Sequence, residues 1–392
     1  MLVRKRITVV GPRLQATVAG ASLAFESLIL GLQGLGFHIR IVSTILFKRK
    51  FSSGEFSLVR AIETLWVICN TWWNLIFTDV FYLVMSTSPA GFIRDYLTVG
   101  FAKLSGRRTV LHLHGGGFED FYVSQKPWLQ RLIRANLKRT DCIVVLGELL
   151  KEQFYCAGDF VKPKLVVVPN GLTLGVDEPI AEAKQLPSAG KVELLYLSSL
   201  MPSKGFFDVL QALEALEREQ PGKYHLNLCG SFVDAKTETA VEVTDEPSLS
   251  AYITNHGLTD CVTYHGQVLG ADKEQQFAQA NIFLLPTSYP WEGQPLSIIE
   301  ALAYSIPVIS CHHKGIPELI ENGETGRFVE PKSPQSIADA VLEMTSSPDK
   351  YIRLSAAARE HYEAHFRRDV HLKKLISVIL DYSESEVLIV DA

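Results

Sequence analysis

The sequence predicts an α/β protein of two Rossmann-like domains, each a doubly wound parallel sheet. Three observations carry that prediction. The chain has 392 residues, 47% of them hydrophobic, enough to bury two substantial cores. Short Val-, Ile- and Leu-rich runs alternate with helical patterns in both halves, the signature of parallel sheets covered by helices. Between the halves, residues 172–190 are rich in Pro, Gly, Ala and acidic residues and carry no periodicity, which marks a linker.

In chain order, the first half offers strands at Ile7–Val10, His38–Val42, Val80–Met85, Thr109–Leu113, Cys142–Leu146 and Leu165–Val168. The second offers Glu193–Leu197, His225–Leu228, Val262–Tyr264, Ile282–Leu285, Pro307–Ser310 and Gly326–Val329. A helix over Ala24–Leu32 follows the first strand, and Arg367–Leu380 has helical spacing near the end of the chain. Gly31-x-x-Gly34-x-Gly36 is set aside as a dinucleotide fingerprint, because it lies at the end of a helix rather than between strand and helix. The domain boundaries expected are 1–172, a linker at 173–190, 191–365, and a terminal segment at 366–392. A ligand cleft is expected between the two sheets.

Composition narrows the class further. Met1–Arg6 runs directly into the first strand, so no signal peptide is expected. The most apolar window, Leu65–Val84, is broken by Asn70, Asn74 and Asp79 and reads as helix, turn and strand rather than a membrane span. Six scattered cysteines without a C-x-x-C pair fit a reduced, cytoplasmic protein with buried thiols. The net charge of −5 hides an asymmetry: residues 1–172 hold 21 Lys and Arg against 11 Asp and Glu, whereas the rest hold 17 against 32. A basic first half points to an anionic partner.

The chemistry concentrates in Tyr289-Pro-Trp-Glu-Gly-Gln-Pro-Leu-Ser-Ile-Ile-Glu300. Glu292 sits in a Pro- and Gly-bearing turn after a strand, and Pro295 fits the first turn of a helix. The amides of Gly293, Gln294, Leu296 and Ser297, with Pro295 among them, would then line a helix N-terminus suited to a diphosphate. Glu292 before the helix and Glu300 about two turns into it could each accept hydrogen bonds from hydroxyls. Sugar on one side and ribose on the other fits that layout.

Glu292-x7-Glu300, followed by Ala301–Ile309 and by Gly315-Ile-Pro-Glu-Leu-Ile-Glu-Asn-Gly-Glu-Thr-Gly326, resembles the retaining, nucleotide-sugar-dependent glycosyltransferases of family four, which have the GT-B fold. The resemblance is strong over residues 191–335 and weaker, though in register, before them. It implies that Glu292 contacts the donor sugar and Glu300 the nucleotide ribose. It also implies that Lys204, in Ser198-Ser-Leu-Met-Pro-Ser-Lys-Gly205, stabilises the leaving diphosphate. The family carries an arginine where this chain has Ser199, so one cation is missing from the expected donor-binding set. Gly230, just past a strand, joins that set.

The resemblance further assigns a donor-sugar contact to His114, which is followed by Gly115-Gly-Gly117 at a strand end. His112 is assigned to the opposite face of the strand. Gly20 marks a loop before the first helix where the family has paired glycines. The terminal helix is expected to return to the first domain. No Asp-x-Asp triplet is present, so neither a metal nor any other cofactor is expected; the nucleotide sugar is the substrate.

Arg131, Arg134 and Lys138 recur at three- and four-residue spacing after Trp128, forming a basic helical face for the acceptor or for peripheral contact with an anionic membrane. Lys48-Arg-Lys-Phe51 adds to it. The function expected is transfer of a hexose-type sugar from a nucleoside-diphosphate sugar to a glycan or lipid-linked acceptor, in surface polysaccharide biosynthesis. Nucleic acid is not an expected partner. Two alternatives are weighed. Ser199 and the altered Gly20 loop suggest a non-catalytic nucleotide-sugar-binding module. His114-Gly-Gly-Gly117 suggests an α/β-hydrolase, but no G-x-S-x-G elbow accompanies it.

Overall fold

The computed structural model describes residues 5–14, 20–45, 58–172, 182–233 and 241–383. The Lys48–Phe51 group, residues 15–19 before Gly20, and residues 173–181 of the expected linker lie outside that set. By its internal contacts the chain divides into two units, residues 1–174 with 368–392, and residues 175–367.

In unit 1 the elements run β1 (Arg6–Gly11), α1 (Gly20–Gly34), β2 (His38–Ser43), α2 (Leu58–Leu75), β3 (Val80–Val84), α3 (Pro89–Leu104), β4 (Arg108–His112), α4 (Phe118–Val123), α5 (Pro127–Arg139), β5 (Cys142–Val145) and β6 (Leu165–Val167). In unit 2 they run β7 (Val192–Leu197), α6 (Phe206–Glu219), β8 (Tyr224–Cys229), α7 (Glu246–Asn255), β9 (Val262–Gly266), α8 (Gly270–Gln279), β10 (Ile282–Leu285), α9 (Leu296–Ala303), β11 (Val308–Cys311), β12 (Gly326–Val329), α10 (Pro334–Met344) and α11 (Pro348–His365). The chain then adds α12 (Arg368–Leu380) to unit 1. Each predicted strand is present within a residue or two of its expected bounds.

Both sheets are six-stranded and parallel, ordered β2-β1-β3-β4-β5-β6 and β12-β11-β10-β7-β8-β9. Strand order therefore reverses between β1 and β3 in the first sheet and between β7 and β10 in the second. Ligands of open α/β sheets collect at the carboxyl ends of strands at such a reversal.

In unit 1 the alternation of side chains sorts the core into two layers. Phe81, Leu83, Leu111, Ile143 and Val145 pack under α2, α3, α4 and α5. Val80, Tyr82, Val110, Cys142 and Val144 pack instead on Phe25, Leu28, Ile29 and Leu32 of α1 and on Leu375, Ile376, Ile379 and Leu380 of α12. One layer of this unit is thus built partly by α12, which follows the whole of unit 2 in the chain. In unit 2, α6 packs on α10 and α9 on α11. Tyr351 donates to the Asn281 carbonyl at 2.8 Å and Ser355 to that of Ser305 at 2.6 Å, which ties α11 to the sheet and to the end of α9.

Two lysines close helix ends. Lys164 donates to the carbonyls of Leu137, Lys138 and Thr140 at the end of α5. Lys184 does the same for Phe277, Ala278 and Ala280 at the end of α8, at 2.7–2.9 Å. The last carbonyls of a helix lack intrahelical partners, and an ammonium complements their partial negative charge. The six cysteines are unpaired; four are buried, Cys156 is half-buried, and Cys69 on α2 is exposed, against the expectation of buried thiols.

Candidate functional site

The loops following β7 and β10 are tied together at the reversal point of the second sheet. Ser288 N–H donates to the Ser203 carbonyl at 2.8 Å, and Tyr196 Oη reaches the carbonyls of Ser199 and Lys204 at 3.2 and 3.3 Å. Gly205 is glycine for two reasons. Its φ is +78°, and an added Cβ would stand 2.4 Å from the Pro286 carbonyl oxygen. The turn Pro202–Lys204 is therefore pressed onto the end of β10.

That arrangement brings two residues 88 apart in sequence into contact. Lys204 Nζ lies 2.6 Å from Glu292 Oε2, and Thr287 Oγ1 donates to the same oxygen at 3.0 Å. The lysine also stands 4.7 Å above the centre of the Tyr289 ring. The side chains of Lys204 and Glu292 are only 14% and 8% exposed. One carboxylate oxygen is thus held by an ammonium and a hydroxyl, while Oε1 carries no hydrogen bond among the described residues.

Glu300 repeats the pattern. Lys273 Nζ is 2.6 Å from its Oε1, the two side chains are 13% and 2% exposed, and Oε2 carries no hydrogen bond among the described residues. The sequence reading missed Lys273 and Thr287. Lys273 stands early in a helix with no recognisable motif, and only the fold shows that this helix packs beside α9.

Between the two glutamates, Pro295 is the residue that caps α9 rather than its first helical residue, as the sequence reading had it; the helix starts at Leu296. Proline serves equally well there, since an N-cap amide makes no intrahelical bond. Gly293 and Gln294 are buried, and Pro295, Leu296 and Ser297 half-buried, around this helix start. No acidic side chain occupies the first turn, so the field of the helix end is not quenched from within. Ser199 is exposed in the loop after β7. Gly230 follows β8 with φ +149°, and a Cβ there would fall 1.8 Å from the Ser198 carbonyl oxygen. Its role is to let the β7 and β8 loops pass each other.

In unit 1 the carboxyl edge is built differently. β4 ends at His112, and His114 lies two residues beyond. The rings of His112 and His114 stack with centroids 4.0 Å apart. The expectation that His112 faces the other way is thereby corrected: positions two apart on an extended chain share a face. That face is the one covered by α12, which brings in His371, whose Nδ1–H donates to the Pro169 carbonyl at 2.6 Å. Tyr82 Oη lies 2.6 Å from His112 Nδ1.

Burial drives all three histidines toward the neutral form, His112 well below its ordinary range, His114 to about 3 and His371 to about 4, with neighbouring imidazoles adding to the effect on His112 and His114. Nε2 of both His112 and His114 is buried without a hydrogen-bond partner among the described residues. Gly20 is the exposed first residue of α1. On α5, Leu129, Ile133 and Leu137 are buried while Trp128, Arg131, Arg134 and Lys138 are exposed, as the helical spacing requires. Lys138 Nζ lies 5.2 Å from the Phe160 ring centre.

Residues 177–361 match the family described as glycosyl transferases group 1. That stretch is nearly all of the second unit, and over it the chain is similar to the group 1 glycosyltransferases. Among its relatives, the GDP-mannose-dependent α-(1-6)-phosphatidylinositol monomannoside mannosyltransferase of Mycobacterium tuberculosis is 26% identical over 288 residues, 70% of each chain. The amylovoran biosynthesis glycosyltransferase AmsK of Erwinia amylovora is 26% identical over 193 residues, 48% of this chain and 44% of that one. The fold matches Anabaena HepE in complex with UDP, with a TM-score of 0.70 at 16% identity, covering 96% of this chain and all of that one. It also matches sucrose-phosphate synthase from Thermosynechococcus elongatus, with a TM-score of 0.69 at 17% identity, over 96% of this chain and 99% of that one.

The chain has the two-sheet GT-B architecture. Among its described residues no group of three or more His, Cys, Asp or Glu side chains is placed to hold a metal ion, and no helix is long and apolar enough to cross a membrane.

Proposed function

We propose that the enzyme transfers a hexose-type sugar from a nucleoside-diphosphate sugar, with retention at the anomeric carbon, to a glycan or lipid-linked acceptor of surface polysaccharide biosynthesis. The observation that carries this reading is the pair of clamped glutamates at the sheet reversal. Each offers one carboxylate oxygen as a hydroxyl acceptor, and between them lies the start of α9. Sugar hydroxyls at Glu292, diphosphate at the α9 amides and ribose hydroxyls at Glu300 would use all three features. Lys204 supplies positive charge where the leaving diphosphate gathers negative charge, the task for which preorganised electrostatics count most. His114, neutral and with an Nε2 unpartnered among the described residues, is a hydrogen-bonding group that adds no charge at the carboxyl edge of the first sheet.

By their titles, two of the relatives named above are a phosphatidylinositol monomannoside mannosyltransferase and a glycosyltransferase of amylovoran biosynthesis, which supports a glycan or lipid-linked acceptor. The exposed Arg131, Arg134 and Lys138 beside Trp128 support contact with an anionic membrane surface, and the enzyme is then a cytoplasmic protein that works at the inner membrane face.

The test is a thermal-shift screen with UDP-, GDP- and ADP-sugars, followed by release of the nucleoside diphosphate and NMR of the anomeric product. A donor that binds without turnover over any acceptor panel would favour the binding-module alternative, and an inverted product would overturn retention.

A further inference from the structure

The ion pair between Lys273 and Glu300 is out of place as a folding device. Around Glu300, α9 is apolar, with Ile298, Ile299, Ala301, Leu302 and Ala303 all fully buried. A buried ion pair in such a setting is no more stabilising than a well-packed apolar pair, because desolvation offsets the attraction. Lys273 nonetheless projects from α8 to Glu300 at 2.6 Å, its Nζ passing 6.0 Å from the Phe277 ring centre. The contact engages Oε1 only.

We infer that Lys273 is a positioning residue for the donor: by holding Oε1 of Glu300 it fixes the orientation of the carboxylate, with Oε2 left to accept hydrogen bonds from the ribose hydroxyls of a nucleoside diphosphate. This rests on the reading that Glu300 meets the ribose. The two lysines then divide the donor between them, Lys204 serving the sugar and diphosphate end and Lys273 the nucleoside end. Arginine at 273 could keep the clamp, since it too is a cation with donors to a carboxylate oxygen. Methionine keeps the apolar stem and removes the charge.

The experiment measures binding of UDP and GDP, each beside its 2′- and 3′-deoxy counterparts, to wild type, K273M, K273R, E300Q and K273M/E300Q by calorimetry, with melting temperatures as a check on folding. For the best donor found in the sugar-nucleotide screen, KM and kcat are measured as well.

For K273M the expected result is a Kd raised tenfold or more, a preference for ribo- over deoxyribonucleotide reduced toward unity, and an effect falling on the donor KM more than on kcat. K273R should recover most of the preference, and the double variant should be no worse than E300Q. If E300Q loses the ribose preference while K273M retains it, or if the two effects multiply in the double variant, the inference about Lys273 fails and the ribose reading stands. If E300Q itself keeps the ribose preference, the ribose reading fails and the inference falls with it. A K273M protein that melts early and does not bind is resolved by K273R, which must then fold and discriminate as wild type does.

Discussion

The two sheets share an architecture and differ in the electrostatics at the carboxyl ends of their strands. At the reversal of the second sheet, Lys204–Glu292 and Lys273–Glu300 set two ion pairs, each with one carboxylate oxygen left over. At the carboxyl edge of the first, Tyr82, His112, His114 and His371 form an uncharged cluster to which α12 contributes His371. A buried charge needs a partner, whereas a buried imidazole can simply shed its proton. The contrast separates a unit with buried ion pairs at its strand ends from one with buried neutral imidazoles there.

The sharpest way to break the contrast is to remove a charge from the second unit. Replacing Lys204 with Met should lower kcat about a thousandfold, by loss of charge stabilisation at the leaving group. It should also cost about 3 kcal/mol of stability by leaving the 8%-exposed Glu292 side chain without its cation. Steady-state kinetics and urea unfolding check both; a variant with near-native kcat would remove Lys204 from the reaction. Glu300→Ala should weaken nucleoside-diphosphate binding strongly with the fold intact, and unchanged affinity in calorimetry would count against the donor assignment.

Acid should act on the first unit. Histidines whose folded-state pKa is pushed down to about 3 and 4 take up protons in the unfolded chain first. Their contribution is therefore fully present above the ordinary histidine range and is lost as pH falls below about 6.5, at about 1.4 kcal/mol per pH unit for each histidine. Hydrogen exchange between pH 7 and 4 should show β4 and α12 losing protection steeply, and His371→Asn should flatten the slope by one proton. His265 and His361 of the second unit are also pulled down by burial, so its acid response should be present but shallower if the contrast holds.

Gly230→Ala probes the frame of the charged site rather than its charge. With φ at +149° and the Ser198 carbonyl in the way, the substitution should cost about 3 kcal/mol, read as a lowered melting temperature, and should weaken donor binding. The smallest effect belongs to a feature the units have in common. Lys164→Met and Lys184→Met each remove a cap on three carbonyls and should each cost about 2 kcal/mol, measured by chemical denaturation. Equal costs would show that the units differ at the carboxyl ends of their strands and not in how their helices are closed.

The strands, the sheet class and the two glutamates were legible because each is written in local sequence: alternation, a Pro-Gly turn, and a fixed spacing from that turn into the helix after it. Lys273 was not, since its partner is 27 positions away and only packing of α8 beside α9 joins them. The histidine cluster was half legible. His112 and His114 share a face by simple parity, yet the residue that completes the group, His371, comes from the far end of the chain. The reading that Pro295 opens the helix was off by one residue, within the usual blur of helix ends.

The dependence of the first unit on α12 has a temporal side. Leu375, Ile376, Ile379 and Leu380 complete a layer whose other members all lie before residue 169. A ribosome therefore delivers everything the second unit needs before it delivers the last piece of the first. During translation the earlier domain must wait, with Val80, Val110 and Val144 uncovered on one side, while the later domain folds. A premature stop before Arg368 should accordingly leave the second unit sound and the first a substrate for chaperones and proteases.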